Sequence, residues 1–314
     1  MDFFYLTNNS IPSKIKPNPK LQEDVLLQRR TKSLMDYDQK DTLVKHSNEL
    51  MNAENYLRQG NFKEAIGRYI EVLGWYKGIG DWETVSYFHH LCLEISRENH
   101  YYQGEARALM GLGICEEKVY NTFEAMHFHE RAQEKALEHD NKEIVRSISK
   151  ELVNIYNKIA QEYLDKEDYE HALEFYEKCL GQCDKAEDMM TQSKCHFQIG
   201  LIYERMEDLG EAVMNVNRYL EICQEMELKQ EQGEAHKKLS ELYSKLGQTS
   251  AAIRNLEALL NIAFDQKHKE GQAEAALKLG LLNYKEGLIP TSVSYLNKHF
   301  ELVKNLVKND RMGA

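Results

Sequence analysis

Residues 199–223 read IGLIYERMEDLGEAVMNVNRYLEIC. Gly200 stands in the middle of one helix-like run, and Ala212 falls twelve residues later, near the start of the next. The same spacing returns forty residues on at Ser240 and Ala252, and again at Gly280 and Ser292. Two antiparallel helices approach closely only where the side chains at their crossing are small, so paired small residues at a fixed spacing mark a helical hairpin. Self-similarity at a period of about 20 to 50 residues marks a repeat array.

Towards the N-terminus the pattern continues with Ala160/Ala172, Gly113/Ala125 and Ala53/Ala65. From Gly113 to Ala160 the interval is 47 residues rather than forty. Seven extra residues are about two helical turns, so the helix from Lys142 to Tyr163 can lengthen without rotating its buried face. Between Ala65 and Ala125 the interval is sixty, and the segment GIGDWETVSYFHHLCLEISRE (78–98) supplies one additional helix near 82–98. After the second small residue, positions four and eight further on are apolar: Tyr176 and Leu180, Val216 and Leu220, Leu256 and Leu260, Leu296 and Phe300. That is one face of a helix. The expectation is an all-α chain whose forty-residue units each hold two helices of sixteen to nineteen residues. Six such hairpins and one extra helix occupy 41–309, after an extended N-terminal arm at 1–40 and before a short tail at 310–314.

Composition agrees with this reading. Hydrophobic residues make up 42% of the 314, and only four prolines occur, three of them (Pro12, Pro17, Pro19) within the first twenty positions. Helix is disfavoured there and unobstructed almost everywhere else. A net charge of −11 argues against binding nucleic acid through its phosphates, which needs a positive face. No apolar run approaches membrane-spanning length, and the first twenty residues lack the basic start and apolar centre of a secretory signal. Six cysteines without such a signal read as reduced thiols, so a soluble, cytoplasmic protein is expected. The first forty residues carry seven Lys/Arg against five Asp/Glu, a net +2 that leaves −13 for the remainder. With Phe3, Phe4, Tyr5, Ile11 and Ile15 this arm has what it needs to dock on a partner or on the acidic body, the alternative being a plain tail.

Catalytic chemistry finds little support. Cys179 and Cys183 are one helical turn apart, and Cys195-His196 lies on the following helix, where two thiolates and an imidazole could approach a zinc ion. Cys179, however, occupies a core-facing small position, where cysteine serves as a small hydrophobe, and no metal is expected. His89-His90 and His127-x-His129 lack the i, i+4 spacing that puts two ligands on one helix face, and His129 falls at a packing position. The glycines of GLGICEE (111–117) sit inside a helix rather than after a strand, so they form no phosphate loop. The chain reads as a non-enzyme without cofactor or small-molecule substrate.

A small residue in one helix and alanine twelve later, with an aromatic or aliphatic residue four beyond, resembles the tetratricopeptide repeat, whose usual period is somewhat shorter. The resemblance implies a right-handed superhelical solenoid. Ala160 and Ser240 in place of glycine, and Ser292 in place of alanine, keep the crossings small. The order WETVSYFHHLCLEI, GEARALMGLGICEE, SISKELVNIYNKIAQEY, YLEICQEMELKQEQGEAHKKLSELY and AALKLGLLNYKEGLIPTSVSYLNKHFELV is similar to the ciliary tetratricopeptide repeat protein twenty-nine family. That resemblance, over roughly 53–303, implies a structural component of the axoneme of motile cilia and flagella, a cytoskeletal scaffold contacting dynein arms or their docking and regulatory complexes. Given the acidic balance and no membrane-length apolar run, no nucleic-acid or membrane partner is expected.

In tetratricopeptide repeats the first-helix residues three before and one after the small residue face the concave groove. Here these are Leu50/Glu54, Met110/Ile114, Asn157/Gln161, Phe197/Leu201, Lys237/Glu241 and Leu277/Leu281. Grooves that clamp acidic chaperone tails use Lys and Asn at these places. The present set, mostly apolar or neutral, suits an apolar helix or extended peptide, or packs on neighbouring first helices. The alternative function is therefore a cytoplasmic adaptor that captures a cargo or polarity peptide in this groove.

Overall fold

The computed structural model describes residues 37–312, with side chains from 46 to 306. The arm residues Phe3, Phe4, Tyr5, Ile11 and Ile15 lie outside the described residues. Within them every regular element is helical: α1 (Tyr37–Arg58), α2 (Phe62–Gly78), α3 (Trp82–Glu98), α4 (Tyr102–Lys118), α5 (Thr122–Glu138), α6 (Lys142–Asp165), α7 (Tyr169–Ala186), α8 (Met189–Arg205), α9 (Leu209–Glu225), α10 (Lys229–Lys245), α11 (Thr249–Asp265), α12 (Lys269–Lys285) and α13 (Ile289–Met312). The chain divides into two compact units after Ile155, within α6.

The rhythm comes from the turns. Each turn places one residue in the left-handed region, and the positions step through the chain at 60, 80, 100, 120, 140, 167, 187, 207, 227, 247, 267 and 287. Only four of these are glycine; the rest include Glu167, Glu187, Glu207 and Glu227. The turn that ends α8 shows the geometry: the Glu207 N–H donates to the Glu204 carbonyl (3.2 Å) and the Asp208 N–H to the Tyr203 carbonyl (2.9 Å). This satisfies two carbonyls that the helix end would leave open. The next helix then starts on an aspartate cap: Asp208 Oδ1 accepts from the Glu211 N–H at 3.2 Å, and Asp188 Oδ1 from that of Thr191 at 3.0 Å. A left-handed L-residue costs about 1–2 kcal/mol. Glu227→Gly at an exposed turn is therefore expected to raise unfolding free energy by up to about 1 kcal/mol, part of the gain being lost to the freer unfolded chain. Urea denaturation reads this directly, and a drop in midpoint would contradict it.

Small residues occupy the crossings. Ala65 and Ala125 are fully buried in the first unit; Ala160, Ala172, Ala212 and Ala252 are in the second. A Cβ on Gly200 would stand 2.7 Å from Val216 Cγ2, and one on Gly280 2.7 Å from Leu296. Where Ser292 replaces alanine, its hydroxyl donates to the Gly280 carbonyl at 2.8 Å, so the substitution adds a bond across the crossing. Two further contacts recur with the forty-residue period in the second unit. His196 pairs with Asn215 (3.1 Å) as His236 does with Asn255 (2.9 Å), joining the two helices of a hairpin. The Gln232 amide donates to the Cys223 carbonyl and that of Gln272 to the Ala263 carbonyl, both at 2.9 Å, tying each hairpin to the one before. Apolar packing supplies the bulk: Val216, Tyr219, Leu220 and Cys223 of α9 close on Ala235, Leu239 and Leu242 of α10.

Candidate partner-binding face

In the second unit the first helices of successive hairpins, α8, α10 and α12, are joined side by side. Lys238 and Lys245 of α10 donate to the two carboxylate oxygens of Glu204 on α8 at 2.9 and 2.7 Å. Lys237 reaches Glu274 of α12 at 2.8 Å, and Lys278 of α12 reaches Glu241 at 3.0 Å. Two of the expected groove residues, Lys237 and Glu241, are thus engaged with the neighbouring repeat. Phe197 is half-buried and packs its ring against Tyr219, with centroids 4.7 Å apart. Leu201 and Leu277 are half-buried, whereas Leu281 is 55% exposed. On α6, Asn157 is exposed, and the Gln161 amide donates to Asp165 at 2.8 Å. In the first unit Met110 and Ile114 on α4 are half-buried, and the Met110 sulfur accepts from the Ser147 hydroxyl at 3.9 Å. Leu50 is buried and Glu54 half-buried on α1.

Sequence reasoning missed Glu204, Lys238, Lys245, Glu274 and Lys278. A signal was present: Glu234/Glu274 and Lys238/Lys278 repeat at forty residues. Glu204 is the most enclosed of them, its side chain 14% exposed. Burial opposes its ionisation, yet the hydrogen bonds from Lys245 and Lys238 prevail and hold its pKa below the ordinary 4.5. A depressed carboxylate pKa contributes stability that is present above the unfolded value and lost as pH falls through the folded one. Glu204→Gln is therefore expected to cost roughly 1 kcal/mol at neutral pH and to flatten the loss of stability below pH 4.5. Denaturation midpoints across that pH range, wild type against variant, measure both.

Beside this ladder, a cleft of ≈ 400 Å³ opens between α10, α11 and α12. Leu259 and Ile262 form its apolar lining, and Glu234, Lys237, His268 and Glu274 its polar one.

The histidine clusters do not converge on a reaction centre. His89 is buried against Gly111 on α4, its Nε2 without a partner, and burial followed by the charge of Lys77 pushes its pKa down to about 4. His90 meets the edge of Phe128 instead. His129 is fully buried over Gly113 and bonds Glu117 at 3.1 Å through Nε2, while its Nδ1 has no partner. All six cysteines are buried, and burial raises the pKa of Cys92 to about 12 and of Cys115 to about 11, so neither is poised as a nucleophile. The sulfur atoms of Cys179, Cys183 and Cys195 do come together, whereas the His196 ring is turned to Asn215.

The tetratricopeptide repeat family model matches residues 153–183 and 193–225. No curated protein matches the chain. Among solved structures, the chain is similar to MamA at 20% identity, covering 63% of this chain and 97% of that one with a TM-score of 0.40. It is also similar to BtubC (BKLC) from P. vanneervenii at 16% identity, covering 74% of this chain and 94% of that one, TM-score 0.39. A third is YrrB, described as a tetratricopeptide repeat protein with an unusual peptide-binding site, at 18% identity over 67% of this chain and 90% of that one, TM-score 0.38.

The all-helical hairpin architecture, with its two matched segments, is that of a tetratricopeptide-type helical repeat array. The segments that match the tetratricopeptide repeat model lie on α6 through α9. Among the described residues no helix is long and apolar enough to cross a membrane.

Proposed function

We propose that this chain is a non-catalytic structural scaffold of the motile-cilium axoneme, seated beside dynein arms or their docking and regulatory complexes. The observation that carries the scaffold half of this reading is where apolar surface remains available. The α8–α10–α12 face spends its lysines and glutamates on its own neighbours. Large exposed apolar side chains gather instead on the α12–α13 hairpin: Leu281, Tyr284, Leu288, Ile289, Val293 and Phe300. Exposed apolar side chains concentrated on one hairpin suit permanent burial in an assembly better than transient peptide capture. Placement in the axoneme rests on the resemblance in the order of the repeat segments. The acidic chain, at −11 overall, would be kept off the acidic microtubule lattice and directed to other axonemal proteins.

The cleft between α10, α11 and α12 favours the second reading, an adaptor that takes a peptide side chain over Leu259 and Ile262. A tagged copy followed through salt extraction of isolated cilia separates the two. Axonemal retention, release at the salt step that frees dynein arms, and loss of retention in a Val293→Lys/Phe300→Lys variant support the scaffold. A diffuse signal absent from cilia sinks it and turns attention to peptides that fill the cleft.

A further inference from the structure

Three thiols unused by the scaffold function converge in the core of the second unit. Cys179 and Cys183 lie one turn apart on α7, Cys195 is the seventh residue of α8, and the three sulfur atoms all fall within 4.8 Å of one another. The Cys195 and Cys179 sulfurs are 3.4 Å apart. Sulfur atoms bonded to one ion at about 2.3 Å stand roughly 3.5–4 Å from each other, so a small side-chain adjustment closes the trio on a single centre. All three side chains are no more than 1% exposed.

We propose that Cys179, Cys183 and Cys195 form a three-thiol site for a trivalent thiophilic ion of the arsenite type. Net charge selects the ion class. Three thiolates bring three negative charges; a monovalent ion leaves two and a divalent ion one, while a trivalent ion leaves none. A buried net charge needs a counter-charge, and the carboxylate of Asp188, which acts on Cys183 and Cys195, is of the wrong sign. A tetrahedral divalent ion would also want a fourth ligand, and the nearest candidate in sequence, His196, is committed to Asn215.

Proton balance points the same way. Arsenious acid asks for no ionisation overall: three As–O and three S–H bonds break, three As–S and three O–H bonds form, and three waters leave. Nothing is oxidised or reduced, and no proton is released to solvent. Entry requires local opening of the α7–α8 turn, a motion that short exposed turns allow.

The test uses the full chain, reduced and then freed of reductant, with one equivalent of inorganic arsenite. Native mass spectrometry is expected to show one arsenic gained and three hydrogens lost per chain, and arsenic X-ray absorption to show three sulfur neighbours and no oxygen. Cys223→Ala, at a buried cysteine outside the trio, keeps this signature; Cys195→Ala and the near-isosteric Cys195→Ser lose it. Should both Cys195 variants fail to fold, the wild-type absorption spectrum still decides. An arsenic centre with two sulfurs and an oxygen overturns the proposal. So does the three-sulfur signature surviving in a folded Cys195 variant, or stoichiometric zinc retained by the chain in place of arsenic.

Discussion

Gly200→Leu is expected to destabilise the second unit by about 3 kcal/mol, the upper end for overpacking a close contact. The reason lies in what surrounds the site. The first added carbon would already stand 2.7 Å from Val216 Cγ2 and 3.3 Å from the Ala212 carbonyl oxygen. Val216 can rotate, but the Ala212 carbonyl belongs to the first turn of α9 and cannot retreat without separating the helices. The remaining carbons of leucine have nowhere to go but between them. Gly200→Ala separates the two contributions: helix propensity gains about 1 kcal/mol while the Val216 contact loses a similar amount, so a near-neutral result is expected. Urea denaturation followed by far-ultraviolet circular dichroism measures both. An unchanged midpoint for the leucine variant would mean that α8 and α9 cross somewhere else.

Leu239→Ala is the second large effect, expected at about 2–5 kcal/mol. Leu239 is 1% exposed and lies on α10 in the cluster with Val216, Tyr219, Leu220 and Cys223 of α9. It joins one hairpin to the next rather than closing its own hairpin. In a repeat array, stability is carried by such neighbour interfaces as well as by each hairpin. The loss should therefore appear first as faster hydrogen exchange along α9 and α10, with α12 and α13 less affected. Uniform acceleration throughout the second unit would indicate that these hairpins unfold together and would refute the local picture. A change of less than 1 kcal/mol would show that the space left by the leucine collapses at little cost.

The crossings at Gly200/Ala212 and Gly280/Ser292 could be read from spacing because steric exclusion at a helix contact acts on residue size alone, and size is written in the sequence. The turns were harder to read. Glu207 and Glu227 take the left-handed conformation where glycine would be expected, because the closing backbone hydrogen bonds outweigh the strain, with the Asp208 cap adding to them after Glu207. The face of α8, α10 and α12 was harder still. Lys237 and Glu241 were placed at groove positions by their distance from Ser240, and nothing in that count says that Glu274 and Lys278 stand opposite. Those pairs depend on the spacing between hairpins, which the apolar interfaces set. Phe197 likewise turned to Tyr219 of its own hairpin.

By itself, then, the amino-acid sequence determined the helical class, the forty-residue period and the residues at which helices touch, all consequences of local propensity, periodicity and side-chain size. Only the tertiary structure decided which charges neutralise one another between repeats, that apolar surface collects on α12 and α13, and that Cys179, Cys183 and Cys195 meet while His196 turns away to Asn215. These depend on distances between helices and on rotamers chosen in the packed core, and residues far apart in the chain acquire such distances only once the hairpins have stacked.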